Sequence, residues 1–219
     1  MRKLFILLTV AALMACDNDP YDTGTGTYSL MRADFCEAYT GEERAVEYVI
    51  TDEEDVLILN PTVTASWITQ PDTAYRALLY YNVSDDKIVE PLSISNIPVL
   101  VPHAAAAYDS IYTDPITFES VWISTSGKYL NIGFYLKNGQ DDDEESSLHT
   151  IGMVLEGITV NSDTTTTMSL RLYHDQGGVP EYYSSKYYAS VPCSYLTTDS
   201  VTISFNTYDG EVVKSLALK

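Results

Sequence analysis

The chain has 219 residues, which is enough for one large β domain or two small ones. Hydrophobic residues make up 45% of it, so it can bury a core and is not disordered. With 12 basic and 31 acidic residues the net charge is −19; this excludes nucleic acid as a partner, because affinity for phosphate depends on lysine and arginine, and it favours basic or neutral partners.

The first 16 residues predict a lipoprotein signal peptide, residues 1–15, followed by Cys16. Arg2 and Lys3 form a positive n-region, and residues 4–15 are an apolar run. As a helix this run spans about 18 Å, which is short of a hydrocarbon core of about 30 Å. It ends in the letters LMAC, which resemble a bacterial lipobox. We therefore expect lipidation of Cys16; the alternative is an ordinary signal peptide with a chance cysteine.

Residues 16–27 predict a flexible tether, because they are polar, contain proline and glycine, and have no periodic apolar face. Asp17 and Asp19 resemble export signals that carry lipoproteins of some Gram-negative gut anaerobes to the cell surface. An acid directly after the cysteine is also compatible with inner-membrane retention. We expect an outer-membrane lipoprotein that faces the periplasm or the cell surface.

Residues 28–103 predict a barrel. Short apolar runs, several of them alternating with period two, indicate strands. The predicted strands are residues 29–35, 44–50, 56–59, 74–82 and 87–101. About five strands without a convincing helix in roughly 75 residues predict a small closed barrel of the OB type. The segment HAAAAY, which starts at His103, is long enough for one helical turn.

Residues 111–219 predict an antiparallel β-sandwich. Residues 128–137 alternate strictly, with four large apolar side chains on one face, which strongly indicates a strand. Further predicted strands are residues 148–155, 168–174, 182–195, 201–208 and 212–218. Turn signals recur about every ten residues, which is typical of sandwiches. The fold prediction is therefore all-β, with an OB-like barrel followed by a sandwich.

The three histidines, His103, His149 and His174, have no metal-ligand spacing, so we expect no zinc site. His174 stands beside Asp175 and invites comparison with a hydrolase triad. There is, however, no G-x-S-x-G elbow and no α/β scaffold for one. We interpret this stretch as a strand that ends in a glycine turn. The sequence predicts no catalytic residue, no metal and no cofactor.

Acidic residues do not define a site by their pattern. The run from Asp141 to Glu145 is contiguous, whereas a calcium loop alternates its ligands and includes a turn glycine. We interpret it as a solvated loop tip that discourages edge pairing, with calcium binding as the alternative. A glycosidase pair cannot be chosen among 31 acids.

The tyrosines are further candidate binding residues. Tyrosine is abundant, and Tyr182 and Tyr183, like Tyr187 and Tyr188, fall on alternate strand faces. At least one of each pair is expected outside, where it can stack on a sugar or anchor a protein; the alternative is sandwich packing.

Two cysteines remain after lipidation, Cys36 and Cys193. They lie in different predicted domains, so a disulfide between them is not expected. Cys193 shares a predicted strand face with Val191 and Tyr195, and we expect it in the core.

Several stretches together resemble the NigD-like lipoproteins. They are SLMRADFCEA, PDTAYRALLYYN, DPITFESVW, GKYLNIGFYLK, HTIGMVL and LRLYHDQGGVPEYYSSKYYASVP. The resemblance covers nearly the whole mature chain and implies an N-terminal OB-type domain and a C-terminal sandwich. It implies no catalytic residue, and only Cys16 transfers, as the modified residue. A role in bacteriocin immunity has been proposed for the family from gene context.

Three functions are compatible with the sequence: a non-catalytic binding or accessory lipoprotein, an immunity protein that blocks a secreted toxin, and an enzyme acting on glycans or peptides at the domain interface. An aromatic ledge would favour the first, a flat acidic patch the second, and a wide acidic groove with two facing carboxylates the third. The expected partners are the membrane, through Cys16, and a protein or glycan ligand.

Overall fold

The computed structural model describes residues 31–82, 86–140 and 148–218, and β-strands dominate it. Within these ranges the helical elements are two 3₁₀ turns, Ala105–Ala107 and Cys193–Tyr195. In the described part of the chain no helix is long and apolar enough to cross a membrane. The all-β prediction is confirmed, and the turn expected in HAAAAY is the one at Ala105–Ala107.

The N-terminal strands close into a barrel. They are β1 (Met31–Thr40), β2 (Val46–Thr51), β3 (Val56–Val63), β4 (Ala74–Asn82) and β5 (Ile88–Asn96). Their order around the barrel is β1-β2-β3-β5-β4. Strands β3 and β5 run parallel, whereas β2 pairs antiparallel with β1 and β3, and β4 with β5. This is a five-stranded OB-type barrel, as predicted.

Small and branched side chains fill the barrel. In β1, Cys36 and Ala38 point inward and are fully buried. The buried barrel core consists of Cys36, Ala38, Val46, Val49, Leu57, Leu59, Ile68, Ala77, Leu79, Tyr81 and Val89. Burial of this apolar surface stabilises the domain by about 25 cal/mol per Å².

The C-terminal strands form a two-sheet sandwich. They are β6 (Pro102–Ala104), β7 (Thr117–Ile123), β8 (Tyr129–Asn138), β9 (Thr150–Val160), β10 (Thr166–Asp175), β11 (Tyr183–Pro192), β12 (Ser200–Thr207) and β13 (Gly210–Ala217). One sheet has the order β13-β12-β10-β9-β6 and the other β11-β8-β7. The predicted sandwich is confirmed, and the domain boundaries at 28–103 and 111–219 stay predictions. Pro102–Ala104 is a strand of the larger sheet.

The larger sheet is mixed rather than purely antiparallel. Strand β6 pairs parallel with β9, and β10 pairs parallel with β12. The parallel pairing of β10 with β12 follows from the connection between them, because β11, which joins them, lies in the other sheet. The chain therefore crosses over and returns to the first sheet in the direction of β10.

Strand β8 confirms the predicted alternation and has a second buried face. Its side chains in the sandwich core are Leu130, Ile132, Phe134 and Leu136. Asn131 and Gly133 face the opposite way, yet both are buried. The barrel packs on this outer face, so β8 is covered on both sides near its beginning.

Arg76 of β4 holds the barrel against the sandwich. Its guanidinium donates to both carboxylate oxygens of Asp52 at 2.7 Å. It also donates to Asn131 Oδ1 at 3.1 Å and to Ser190 Oγ at 3.2 Å, and it lies 4.1 Å from the centre of the Tyr129 ring. Three of these partners belong to the sandwich, and the Arg76 side chain is 1% exposed. The two domains therefore meet through a buried, hydrogen-bonded arginine.

Aromatic rings surround this polar contact. Phe35 of β1 packs edge-on against Trp122 and Tyr188, with ring centres 5.5 and 5.1 Å apart.

Glu37 accepts hydrogen bonds from Lys128 Nζ at 2.9 Å and from the Tyr129 hydroxyl at 3.0 Å. Burial raises the pKa of Glu37, but these two donors outweigh it and lower the pKa overall. The carboxylate therefore stays ionised at the domain interface.

Candidate ligand pocket

The sandwich carries a pocket of about 410 Å³, which is within the range of about 300–1,000 Å³ for small-molecule sites. Residues Val99, Val101 and His103 line one side, before and within β6, and Ile151 and Gly152 of β9 line another. The segment before β6 is fixed to β11, because Leu100 N donates to Ser190 O at 2.8 Å and Ser190 N donates to Pro98 O at 2.9 Å. One wall of the pocket is therefore hydrogen-bonded in place.

Tyrosines form the aromatic part of the pocket. The ring of Tyr108 stacks on that of Tyr173, with centres 5.1 Å apart, and Tyr112 meets Tyr173 edge-on at 6.0 Å. The Tyr108 hydroxyl donates to Met153 O at 3.2 Å, and burial raises the pKa of this phenol. The absence of a side chain at Gly152 makes space for the Tyr108 ring, because a Cβ there would lie 3.2 Å from Tyr108 Oη. The sequence analysis did not single out these tyrosines.

The chemistry that the pocket offers is stacking and neutral hydrogen bonding. The residues that line it include two tyrosines, a threonine and His103, and none of them is a carboxylate, a lysine or an arginine. Such a lining suits an uncharged ligand with an apolar face and hydroxyl groups. His103 is the one lining residue that the sequence analysis considered, and here it has no second histidine or acid beside it in the lining.

A smaller cleft at the domain interface tests the hypothesis of an interfacial enzyme. It measures about 140 Å³ and is lined by Asp34, Asp52 and Glu53, among others. Each of these carboxylates is ion-paired with an arginine: Asp52 with Arg76, and both Asp34 and Glu53 with Arg32, at 2.6–2.7 Å. The carboxylates are engaged in these pairs, and the cleft is not a wide acidic groove.

The other two histidines meet away from the pocket lining. His149 Nδ1 and His174 Nε2 are 3.0 Å apart, so one of these nitrogens carries the proton of their hydrogen bond. Their outer nitrogens face the carbonyl oxygens of Lys137 at 3.0 Å and Asp114 at 2.9 Å. Burial, then the charge of His174, lowers the pKa of His149. Within the described ranges no group of three metal-binding side chains occurs.

Sequence reasoning missed this histidine pair because it did not pair the two predicted strands in register. His149 precedes β9 and His174 lies near the end of β10, and the antiparallel register pairs Asp175 with Thr150. A predicted β9–β10 hairpin with this register would have brought the two histidines together. The hairpin register is the signal that could have found them.

The four tyrosines at the start of and within β11 have at least one exposed member in each pair. Tyr182 and Tyr183 are exposed, and so is Tyr187. Tyr188 lies half-buried between the domains, against Phe35. The prediction that one of each pair lies outside is confirmed, while Tyr188 serves the domain contact.

Both described cysteines are free thiols. Cys36 is buried in the barrel, its thiol lies 3.6 Å from Ala77 O, and burial raises its pKa to about 12. The expectation that Cys193 lies on a strand is wrong, because β11 ends at Pro192 and Cys193 begins the 3₁₀ turn. It packs half-buried against the core from there. Cys16 and the acidic run 141–145 lie outside the described residues.

The fold and the pocket define an all-β protein with an OB-type barrel and a β-sandwich. The model of the NigD-like C-terminal beta sandwich domain matches residues 99–219, which is more than half of the chain. The chain therefore belongs to the NigD-like family. No curated protein matches it.

Solved structures from Bacteroides and Parabacteroides species share the fold. A NigD-like immunity protein from Bacteroides caccae is 22% identical, with a TM-score of 0.61 over 84% of this chain and 91% of its own. A candidate toxin-related protein from Parabacteroides distasonis is 21% identical, with a TM-score of 0.58 over 85% and 92%. A candidate lipoprotein from Bacteroides fragilis is 12% identical, with a TM-score of 0.60 over 86% and 98%.

Proposed function

We propose that the protein is a lipid-anchored, envelope-associated binding protein without catalytic activity. The anchor is Cys16, at the end of the LMAC segment, and several acyl chains on one residue give stable membrane attachment where a single chain does not. That a similar fold occurs in a candidate lipoprotein from Bacteroides fragilis supports this location. The described domains would then face the periplasm or the cell surface.

The observation that carries the binding function is the tyrosine pocket of the sandwich. Tyr108 is half-buried and its ring stacks on that of Tyr173, which is 9% exposed, and the lining contains no carboxylate that could act as an acid, a base or a nucleophile. Glycoside hydrolysis uses a pair of carboxylates, whereas binding a neutral sugar uses aromatic faces and hydroxyl groups. The pocket therefore fits recognition of a glycan or a similar uncharged ligand.

Calorimetric titration of neutral oligosaccharides tests the pocket. The chain from residue 16 onward, with Cys16→Ser to prevent acylation, contains the whole compact unit Arg32–Lys219. Tyr108→Ala is expected to weaken binding at least tenfold, because it removes the stacked ring from the pocket. Tyr195→Ala removes a half-exposed tyrosine of the 3₁₀ turn and is the matched control. Equal binding by both variants would refute the pocket as the site.

Membrane fractionation with labelled palmitate tests the anchor. The native chain is expected in the membrane fraction and labelled, whereas Cys16→Ser is expected to be unlabelled and released from the membrane. Membrane attachment of the serine variant, with no label in the native chain, would refute lipidation at Cys16.

Toxin immunity is the second candidate function. The Bacteroides caccae protein of similar fold is named as a NigD-like immunity protein, and a net charge of −19 would assist capture of a basic toxin. A deletion strain challenged with a cognate bacteriocin is expected to become more sensitive, and the native gene to restore resistance. Unchanged sensitivity would refute this function.

A further inference from the structure

We propose that the outer face of the barrel docks a cationic amphipathic polypeptide. This surface belongs to the barrel, whereas the tyrosine pocket belongs to the sandwich. The inference rests on the second candidate function, capture of a basic toxin, and names the surface and the class of ligand for it. It depends on an unbroken set of apolar side chains that point away from the barrel core, and on the charges around them.

The apolar side chains form a row across four neighbouring strands, here called the outer row. Tyr39 of β1 is paired with Tyr48 of β2, Tyr48 with Ile58 of β3, and Ile58 with Ile88 of β5. The two tyrosine rings stack in parallel, with centres 4.7 Å apart. Ile58 is 52% and Ile88 43% exposed. The outer row is therefore continuous and open to solvent.

A second pair widens the outer row on one side. Ile50 of β2 is paired with Val56 of β3, and Val56 is exposed like the outer row. Strands lie about 4.8 Å apart, so four of them span about 14 Å, and a step of two residues along a strand adds about 7 Å. The apolar stripe of a helix about 10–12 Å wide matches this size.

The charges around the outer row select the partner. Exposed Glu47 directly precedes Tyr48, Glu54 precedes Val56 in the β2–β3 turn, and Glu90 lies two residues after Ile88 on the same face of β5. Lys87 is paired with Asp55 at 3.1 Å, and Lys128, at the Tyr39 end of the outer row, is paired with Glu37 at 2.9 Å. An apolar row with an acidic border fits a peptide whose apolar stripe is bordered by lysine or arginine.

The same charges disfavour two other occupants. A second copy of this chain also carries a net charge of −19, so two copies repel each other. Nucleic acid, which many OB-type barrels bind on this side, is repelled for the same reason. A cationic polypeptide gains from both the apolar contact and the charge.

Fluorescence anisotropy with two labelled model peptides tests the proposal. One is an 18-residue amphipathic helix of leucine and lysine, and the other replaces every lysine by glutamate. The Cys16→Ser chain from residue 16 onward is expected to bind the lysine peptide, more weakly as salt rises, and not the glutamate peptide. In the double variant Ile58→Ser and Ile88→Ser, binding of the lysine peptide is expected to weaken at least tenfold.

Val213→Ser is the matched control, because it removes an equally exposed apolar side chain from the sandwich strand β13. It is expected to bind like the parent chain, and urea unfolding of all variants shows that each remains folded. Equal binding by the double variant and the control would mean that charge alone attracts the peptide, and would overturn the proposal. So would absence of binding to the parent chain, or a dimer in sedimentation that the double variant abolishes.

Discussion

Replacing Arg76 by alanine is expected to destabilise the contact between the barrel and the sandwich. The variant removes the donors to Asp52, Asn131 and Ser190 together. Asp52 loses its bidentate cation and keeps Asn131 Nδ2 as a side-chain donor at 3.2 Å. Asn131 Oδ1 still accepts from Ser190 Oγ at 2.7 Å, so the cost falls mainly on the Asp52 carboxylate, which is left without its cation.

The magnitude follows from the burial of the two charges. Removing one partner of a buried ion pair costs about 3–5 kcal/mol. The Asp52 side chain is 16% exposed, so water can solvate part of the remaining carboxylate and the lower end applies, about 3 kcal/mol. With a urea dependence of about 2 kcal/mol/M, the unfolding midpoint is expected to fall by about 1.5 M. Arg76→Lys keeps the charge but loses the bidentate geometry, so its loss should be intermediate.

Urea unfolding followed by tryptophan fluorescence measures this effect at the interface. The chain has two tryptophans: Trp67 packs on Tyr75 in the barrel, and Trp122 lies beside Phe35 between the domains. A Trp67→Phe background makes Trp122 the reporter of the contact. Circular dichroism of the same samples reports the strands of both domains.

Arg171→Ala is the control, because Arg171 forms ion pairs with Glu156 and Glu211 near the surface. Surface pairs contribute about 0–1 kcal/mol, so this variant should unfold close to the parent midpoint. If Arg76→Ala lost no more stability than Arg171→Ala, the buried arginine would not hold the domains together, and the reasoning would be refuted.

Three other measurements follow from the structure. Because burial and the charge of His174 lower the pKa of His149, the unfolded chain binds this proton more readily; stability should fall as pH drops below about 6.5, and less in His149→Gln, as urea titrations at each pH can show. Buried Cys36, with a pKa of about 12, should react with iodoacetamide only after unfolding, whereas Cys193 should react first; rapid labelling of Cys36 in the folded chain would contradict its burial. Gly177→Ala should cost more than about 1 kcal/mol, since the residue has a φ of +60° and a Cβ would meet a backbone carbonyl oxygen; an unchanged urea midpoint would contradict this.

The sequence predicted strands in which large apolar side chains occupy every second position. Residues 128–137 alternate with period two because the sandwich core takes every second side chain, and the observed strand Tyr129–Asn138 agrees. The barrel could be predicted for a similar reason, because its strands are short and regularly spaced in the sequence. Local pattern suffices for such elements, because burial is decided within a few residues.

The tyrosine pocket and the Arg76 contact could not be predicted from local pattern. Tyr108 and Tyr173 are 65 positions apart in the sequence, and their stacking depends on Gly152 in a third element. Arg76 similarly meets Ser190 across the chain, and nothing near Arg76 marks it as buried. These contacts require the register of several strands at once, which composition and spacing do not specify.

The parallel pairing of Pro102–Ala104 with β9 determines where the molecule can be divided. These three residues are the outermost strand of their sheet and satisfy backbone groups of Met153, Val154 and Leu155. A shortened protein that began after Ala104 would present those groups to its neighbours, inviting strand-to-strand aggregation. A C-terminal fragment that includes residue 99 onward keeps that protection.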